Sequence, residues 1–231
     1  QIQIGSKAWV VLAHVKGHFP TDTALEYDLI TQNGSLSHTC PTLLYSNESR
    51  VSFSINSKAD YVLHGSCRNP HHFSRDSLVA ADSKVATQSI EDRPSLLMMS
   101  GDQIYADHVA GPMLDAIQQV IHILGLPDEN LACDMVPDSQ SLYSCTENFY
   151  HRDAILPHYI KEDGLLAKFF PHKGIPIFSS TECENHLITF SEFFAMYLLV
   201  WSPTLWQHVD RDRFLNANFT QGGQQLSPKW Q

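Results

Sequence analysis

Ser95-Leu96-Leu97-Met98-Met99-Ser100-Gly101-Asp102-Gln103-Ile104-Tyr105-Ala106-Asp107 is the stretch that decides the fold. Pro94 precedes it, apolar residues run from Leu96 to Met99, and Ser100-Gly101 closes the run. That is the pattern of a short strand buried on both faces, as parallel strands of α/β sheets are. Such a strand delivers Asp102 to its carboxyl end, the rim where ligands of open α/β sheets sit. A carboxylate there is a candidate metal ligand or acid–base group. Gly101 permits a sharp turn, and Tyr105 follows Asp102 at a spacing that lets phenol and carboxylate oxygens converge on one ion. The same residues also read as an ordinary strand-to-loop turn in which Asp102 caps the next helix.

Working outward, Tyr61-Val62-Leu63-His64 is a compact strand that runs into Gly65-Ser66-Cys67-Arg68-Asn69-Pro70-His71-His72. Ser74 to Ala86 then reads as a helix, with Ser74 as N-cap, Asp76 in the first turn, and Leu78, Val79, Ala81 and Val85 on an apolar side. Strand, loop, helix and second strand make a βαβ plan. Its right-handed crossover makes the two strands parallel neighbours and sets Cys67 and Asp102 on the same rim. Cys67 has two readings. It is either a small apolar filler after a strand, or a thiolate favoured by Arg68, the nearby histidines and the following helix N-terminus, and so a ligand for iron or zinc.

The composition narrows the classes. With 231 residues, 43% hydrophobic and 17% charged, the chain is long enough for a sizeable core and lies far from the disordered regime. The formal charge of −10, from 15 basic against 25 acidic residues, argues against sequence-specific or nonspecific nucleic-acid binding and against anionic membranes, because phosphate contacts need clustered Lys and Arg. A phosphate-bearing substrate would have to be drawn by a metal or by one or two arginines. No apolar run reaches the ~18 residues of a membrane span. Cys40, Cys67, Cys133, Cys145 and Cys183 include no C-x-x-C pair, which excludes zinc fingers and thioredoxin-type chemistry. Their odd number favours reduced thiols and a cytoplasmic over an exported protein, although Cys133 and Cys145 would be able to pair on secretion. The chain begins at Gln1, so a signal peptide stays open.

Residues 1–56 read as a β-rich segment. Ala8–Val15 is mostly apolar, Ala24–Ile30 precedes the turn signal Gln32-Asn33-Gly34, and Val51–Ile55 alternates with one apolar face, as in a sandwich wetted on one side. From residue 57 onward the pattern is α/β. His108–Leu124 is helical, with Val109, Met113, Ile117, Val120, Ile121 and Leu124 on one stripe and Gly125 and Pro127 as stops. Residues 127–144 read as an insertion loop, and His151, His158 and His172 as solvated. Leu187–Trp206 reads as a helix with Leu187, Phe190, Phe194, Tyr197, Leu198 and Trp201 on one side. Phe214 to Gln231 lacks periodicity, as a loop or chain end would.

Gly65-Ser66-Cys67-Arg68 together with Gly101-Asp102-Gln103-Ile104-Tyr105-Ala106-Asp107 resembles the PhoD-like branch of the calcineurin-like metallophosphoesterases. That branch carries Cys in the first motif, where most of the superfamily has D-x-H, and G-D-x-x-Y in the second. The resemblance spans roughly residues 60 to 108. It implies the first half of a calcineurin-like β-sandwich flanked by helices (57–231), preceded by an immunoglobulin- or fibronectin-III-like segment (1–56). It implies a phosphoric ester hydrolase acting on mono- or diesters through two metal ions, iron with calcium, manganese or zinc. Asp102 would bridge the pair, Cys67 and Tyr105 would bind one ion, and a metal-bridging hydroxide would attack phosphorus. Arg68 would hold a phosphate oxygen, or else be a surface or salt-bridged arginine. The family's downstream Asn/Asp-His motifs have no counterpart here. Glu184-Asn185-His186 is the nearest string, and the chain is accordingly expected to be an N-terminal portion. The alternative is a degenerate, non-catalytic scaffold or binding module of the same family.

Overall fold

The computed structural model describes residues 1–69, 72–107, 109–156, 158–159, 175–176, 183–216, 220–221 and 224–225. Among them it is a mixed α/β protein of small sheets and six α-helices. In chain order the strands are β1 (Ile2–Gly5), β2 (Ala8–Val10), β3 (Ala24–Tyr27), β4 (Ile30–Thr31), β5 (Gly34–Ser35), β6 (Val51–Ser54), β7 (Val62–Gly65), β8 (Leu96–Met99), β9 (His158–Tyr159), β10 (Ile175–Pro176), β11 (Thr220–Gln221) and β12 (Gln224–Gln225). The helices are α1 (Leu36–Thr39), α2 (Ser77–Ala86), α3 (Gly111–Leu124), α4 (Ser139–Ser144), α5 (Phe190–Trp201) and α6 (Arg211–Asn216). Strands pair two by two, and only β7 with β8 is parallel among the described pairs. The chain divides into two compact units: a helical unit of residues 1–12 and 104–231, and a strand-rich unit of residues 13–103.

The core of the helical unit is α3 against α5. Along α3, Met113, Leu114, Ile117, Val120 and Ile121 are buried at helical spacing, with Val109 just before it. Gly125 ends the helix in the left-handed conformation (φ +60°), and its N–H donates to the His122 carbonyl while Leu126 N–H reaches Ile121 O. The β1–β2 turn then satisfies the last carbonyls. Ser6 N–H donates to Gly125 O (2.7 Å) and Lys7 N–H to Leu124 O (3.1 Å).

The fully buried positions of α5 are not its aromatics, although Phe194, half-buried, packs against the core. Ser191, Glu192, Ala195, Met196 and Leu199 are buried, whereas Phe190 is 59% and Tyr197 45% exposed. Small residues at 191 and 195 let the helix approach its neighbour closely, and Glu192 is drawn inward by a fully buried Arg152 (2.7 Å). Arg152 also donates to the carbonyls of Asn148 and His186, and the second Glu192 oxygen accepts the N–H groups of Ile188 and Thr189 in a capping box. The helix stops at Trp201, ahead of Pro203, rather than at Trp206.

The segment 127–144 is not a bare loop. Asp138 caps α4, and Val136, Leu142 and Ile155 form a second small core. Cys133 and Cys145 both pack against it as thiols. Nor is Phe214 in a loop: it lies buried in α6, edge-on to Phe149 at 5.8 Å. His172 falls outside the described residues, and the structure describes only the backbone of His158, in β9.

In the strand-rich unit, β3 pairs with β6 from Ala24↔Ser54 to Tyr27↔Val51, and β4–β5 is a hairpin turning at Gly34 (φ +107°). Beyond Val10 the apolar N-terminal run is not strand, and Val11, Leu12 and Val15 are exposed. Alternation in β6 does not bury its apolar parity either, since Phe53 is 40% exposed. A two-stranded ribbon has no second layer to cover a face. The same holds for β8: Leu96, Leu97 and Met98 are about half exposed instead of buried, because among the described residues of this unit only β7 pairs with it.

Candidate metal centre

The carboxyl ends of β7 and β8 build the site. Their parallel register pairs His64 with Met98 and Gly65 with Met99, and the ladder ends with Ser100 N–H donating to Gly65 O at 3.1 Å. At the entry side, Ser95 N–H and Oγ both donate to Tyr61 O (2.9 Å each). Past the ladder, one chain turns through Ser66-Cys67 and the other through Gly101-Asp102. Because both strands run the same way, both turns emerge on one rim.

The two turns touch at Gly101. A Cβ added there would lie 2.6 Å from the Cys67 backbone nitrogen and 2.6 Å from its Sγ, and would overlap the Ser66 hydroxyl. Only glycine lets the loops approach so closely. Cys67 itself is left-handed (φ +54°), a conformation that costs a non-glycine residue about 1–2 kcal/mol. Its thiol is solvent-exposed and 3.1 Å from Ser66 Oγ. Asp102 is exposed one residue beyond the contact, and Gln103 Nε2 ties its turn back to Gly101 O (3.0 Å).

Arg68 faces Asp76, not open solvent. Its Nε and one terminal nitrogen donate to one Asp76 oxygen at 2.9 and 2.7 Å. That guanidinium holds the Asp76 carboxyl below the usual carboxylate range, with help from the Leu78 N–H that Asp76 caps. Asp76 therefore starts α2 at Ser77, where the sequence reading put the cap at Ser74. A charged cap that also has an ion-pair partner outcompetes a serine nearby.

Tyr105 belongs to the other compact unit, whose boundary falls inside the motif, between Gln103 and Ile104. It is half-buried there, between Ile104 and Ala106, which pack against the α3–α5 core, and Ala106 O accepts Leu187 N–H (2.8 Å). His186 is buried, with Nδ1 2.6 Å from Leu187 O, in the turn before α5. Among the described residues no three His, Cys, Asp or Glu side chains stand close enough to hold one ion.

The donor types on this rim are ones that metals take. A thiol and a carboxylate, both open to solvent, come from turns joined at a cradle that a single Cβ would fill. Two polar residues of this rim escaped the sequence reading: His64 Nε2 and Ser100 Oγ share a hydrogen bond of 2.6 Å. The signal was present, since each immediately precedes a motif glycine. Compared with known proteins, the chain matches no family model, no curated protein and no solved structure.

Proposed function

We propose that this chain carries part of the active centre of a metal-dependent phosphoric ester hydrolase of the PhoD-like kind, acting on phosphate mono- or diesters. The observation that supports this reading is the close approach of the Cys67 turn to Gly101, next to Asp102, at the shared carboxyl rim of two parallel strands. In this reading β7 and β8 begin a calcineurin-like sheet, and residues 1–56 are the immunoglobulin- or fibronectin-like leading segment. Cys67 and Asp102 hold the metal, and the resemblance adds Tyr105 as a phenolate donor. When bound, the metal pair supplies Lewis acidity toward the phosphoryl oxygens and activates water. The protein's own part is to present anionic donors at fixed spacing and to keep Arg68 near the rim. The Asp76 ion pair occupies Nε and one terminal nitrogen of Arg68, so a phosphate using those donors competes with it.

Metal content and turnover of a chromogenic phosphodiester, measured on the whole chain, test the reading. Asp102→Ala and Cys67→Ala should each lower metal affinity beyond the 10–100-fold typical of outer-shell partners, and turnover with it. Arg68→Ala should raise KM if the guanidinium meets phosphate. Turnover that survives Asp102→Ala would defeat the proposal. Metal binding without turnover would favour the non-catalytic module, a reading that the engagement of Arg68 by Asp76 supports.

A further inference from the structure

We infer that His64 is a positioning residue that clamps the Asp102 turn to the strand bearing the Cys67 turn. The inference rests on the metal-centre reading above and assigns a role to a side chain outside its ligand set. The ladder between β7 and β8 ends at Ser100 N–H→Gly65 O, and beyond that point the two backbones part toward the two ligands. Among the described residues no third strand joins this parallel pair to brace the rim. His64 supplies the brace. It sits on β7 opposite Met98, and its Nε2 crosses to Ser100 Oγ at 2.6 Å, two residues before Asp102. Glycines on either side of the crossing let it close: Gly65 runs so near β8 that an added Cβ would stand 3.1 Å from Met99 Sδ, and Gly101 accepts the Cys67 turn.

A hydroxyl both donates and accepts, so Ser100 completes this bond with either imidazole tautomer. The clamp thus needs the reach and direction of the ring nitrogen and not a particular protonation state. Glutamine places an amide nitrogen or oxygen at similar reach and serves as the conservative replacement.

The experiment uses the whole chain and four variants: His64→Ala, His64→Gln, Ser100→Ala, and His64→Ala with Ser100→Ala. Three readouts are taken, two without metal and one with it. Without metal, amide hydrogen exchange of the peptide covering residues 100–103 and the alkylation rate of Cys67 by N-ethylmaleimide report the geometry of the rim. With cobalt(II) alone, the thiolate-to-cobalt charge-transfer absorption reports ligand convergence. His64→Ala and Ser100→Ala should each speed exchange and weaken cobalt binding about tenfold, the size of one lost side-chain hydrogen bond and of one lost outer-shell partner. The double variant should be no worse than either single one, and His64→Gln should restore most of the loss. Exchange unchanged in His64→Ala, additive single effects, or a His64→Gln variant as impaired as His64→Ala would overturn the clamp. Absence of cobalt binding in the unsubstituted chain, with the exchange pattern as expected, would instead remove the metal centre and leave the clamp standing.

Discussion

Replacing Gly101 with alanine tests the contact on which the candidate centre is built. The new methyl would stand 2.6 Å from the Cys67 backbone nitrogen, about 0.8 Å inside the 3.4 Å where ordinary contact begins. The Ser66 hydroxyl and Cys67 thiol can rotate aside, but the amide nitrogen cannot. Cys67 already occupies left-handed φ, so its backbone has little room to yield. The turns must therefore separate, at the 1–3 kcal/mol usual for forcing a carbon into a packed place. The assay has to be local. None of the four tryptophans falls within residues 13–103, so the strand-rich unit carries no tryptophan reporter of its own. Hydrogen exchange resolved by peptide needs none. Protection over residues 62–69 and 96–103 should fall about 5- to 150-fold at ten-fold per 1.4 kcal/mol, and Cys67 should alkylate faster. Gly17→Ala is the control in the same unit, since its Cβ would meet only the Phe19 ring at 3.8 Å. A Gly101→Ala protein whose protection changes by less than about twofold, the range of a surface substitution, would refute the reasoning.

Two further outcomes concern the helical unit, where tryptophan fluorescence in urea is the right probe. Glu192→Ala leaves the guanidinium of Arg152 buried without its counterion and should cost about 3–5 kcal/mol; a loss under about 1 kcal/mol would mean that the pair is not desolvated as described. Burial pushes the Asp115 carboxyl above its ordinary value of 3.8, against the lowering pull of Gln119 and Arg213. Because the folded value is the higher one, the stability contributed by Asp115 is fully present below the unfolded value and is lost as pH rises through the folded value. Asp115→Asn should flatten the pH dependence of unfolding over that interval, and an unaltered slope would show that Asp115 is not its source.

Much of the scaffold was legible. The buried stripe of α3 from Met113 to Ile121 and its stop at Gly125 follow from helical spacing and from one residue tolerant of positive φ, both local properties of the chain. The strand–loop–helix–strand order led to parallel β7 and β8, and so to a common rim for Cys67 and Asp102, because crossover handedness leaves few alternatives. The pairing of His64 with Ser100 spans 36 residues and neither lies at a motif position, so local spacing does not show it.

What the sequence by itself determined about this protein is the order of its elements and which reactive groups lie at strand ends, since backbone sterics and hydrophobic period act over a few residues. Tertiary structure alone decided the rest. It buried Ser191 and Ala195 more deeply than the aromatics of α5, gave Arg68 to Asp76, left β8 half exposed, and divided the second motif between two compact units ahead of Tyr105. Those outcomes depend on which distant side chains compete for the same partner and how closely two backbones can approach, and neither quantity is written in local spacing.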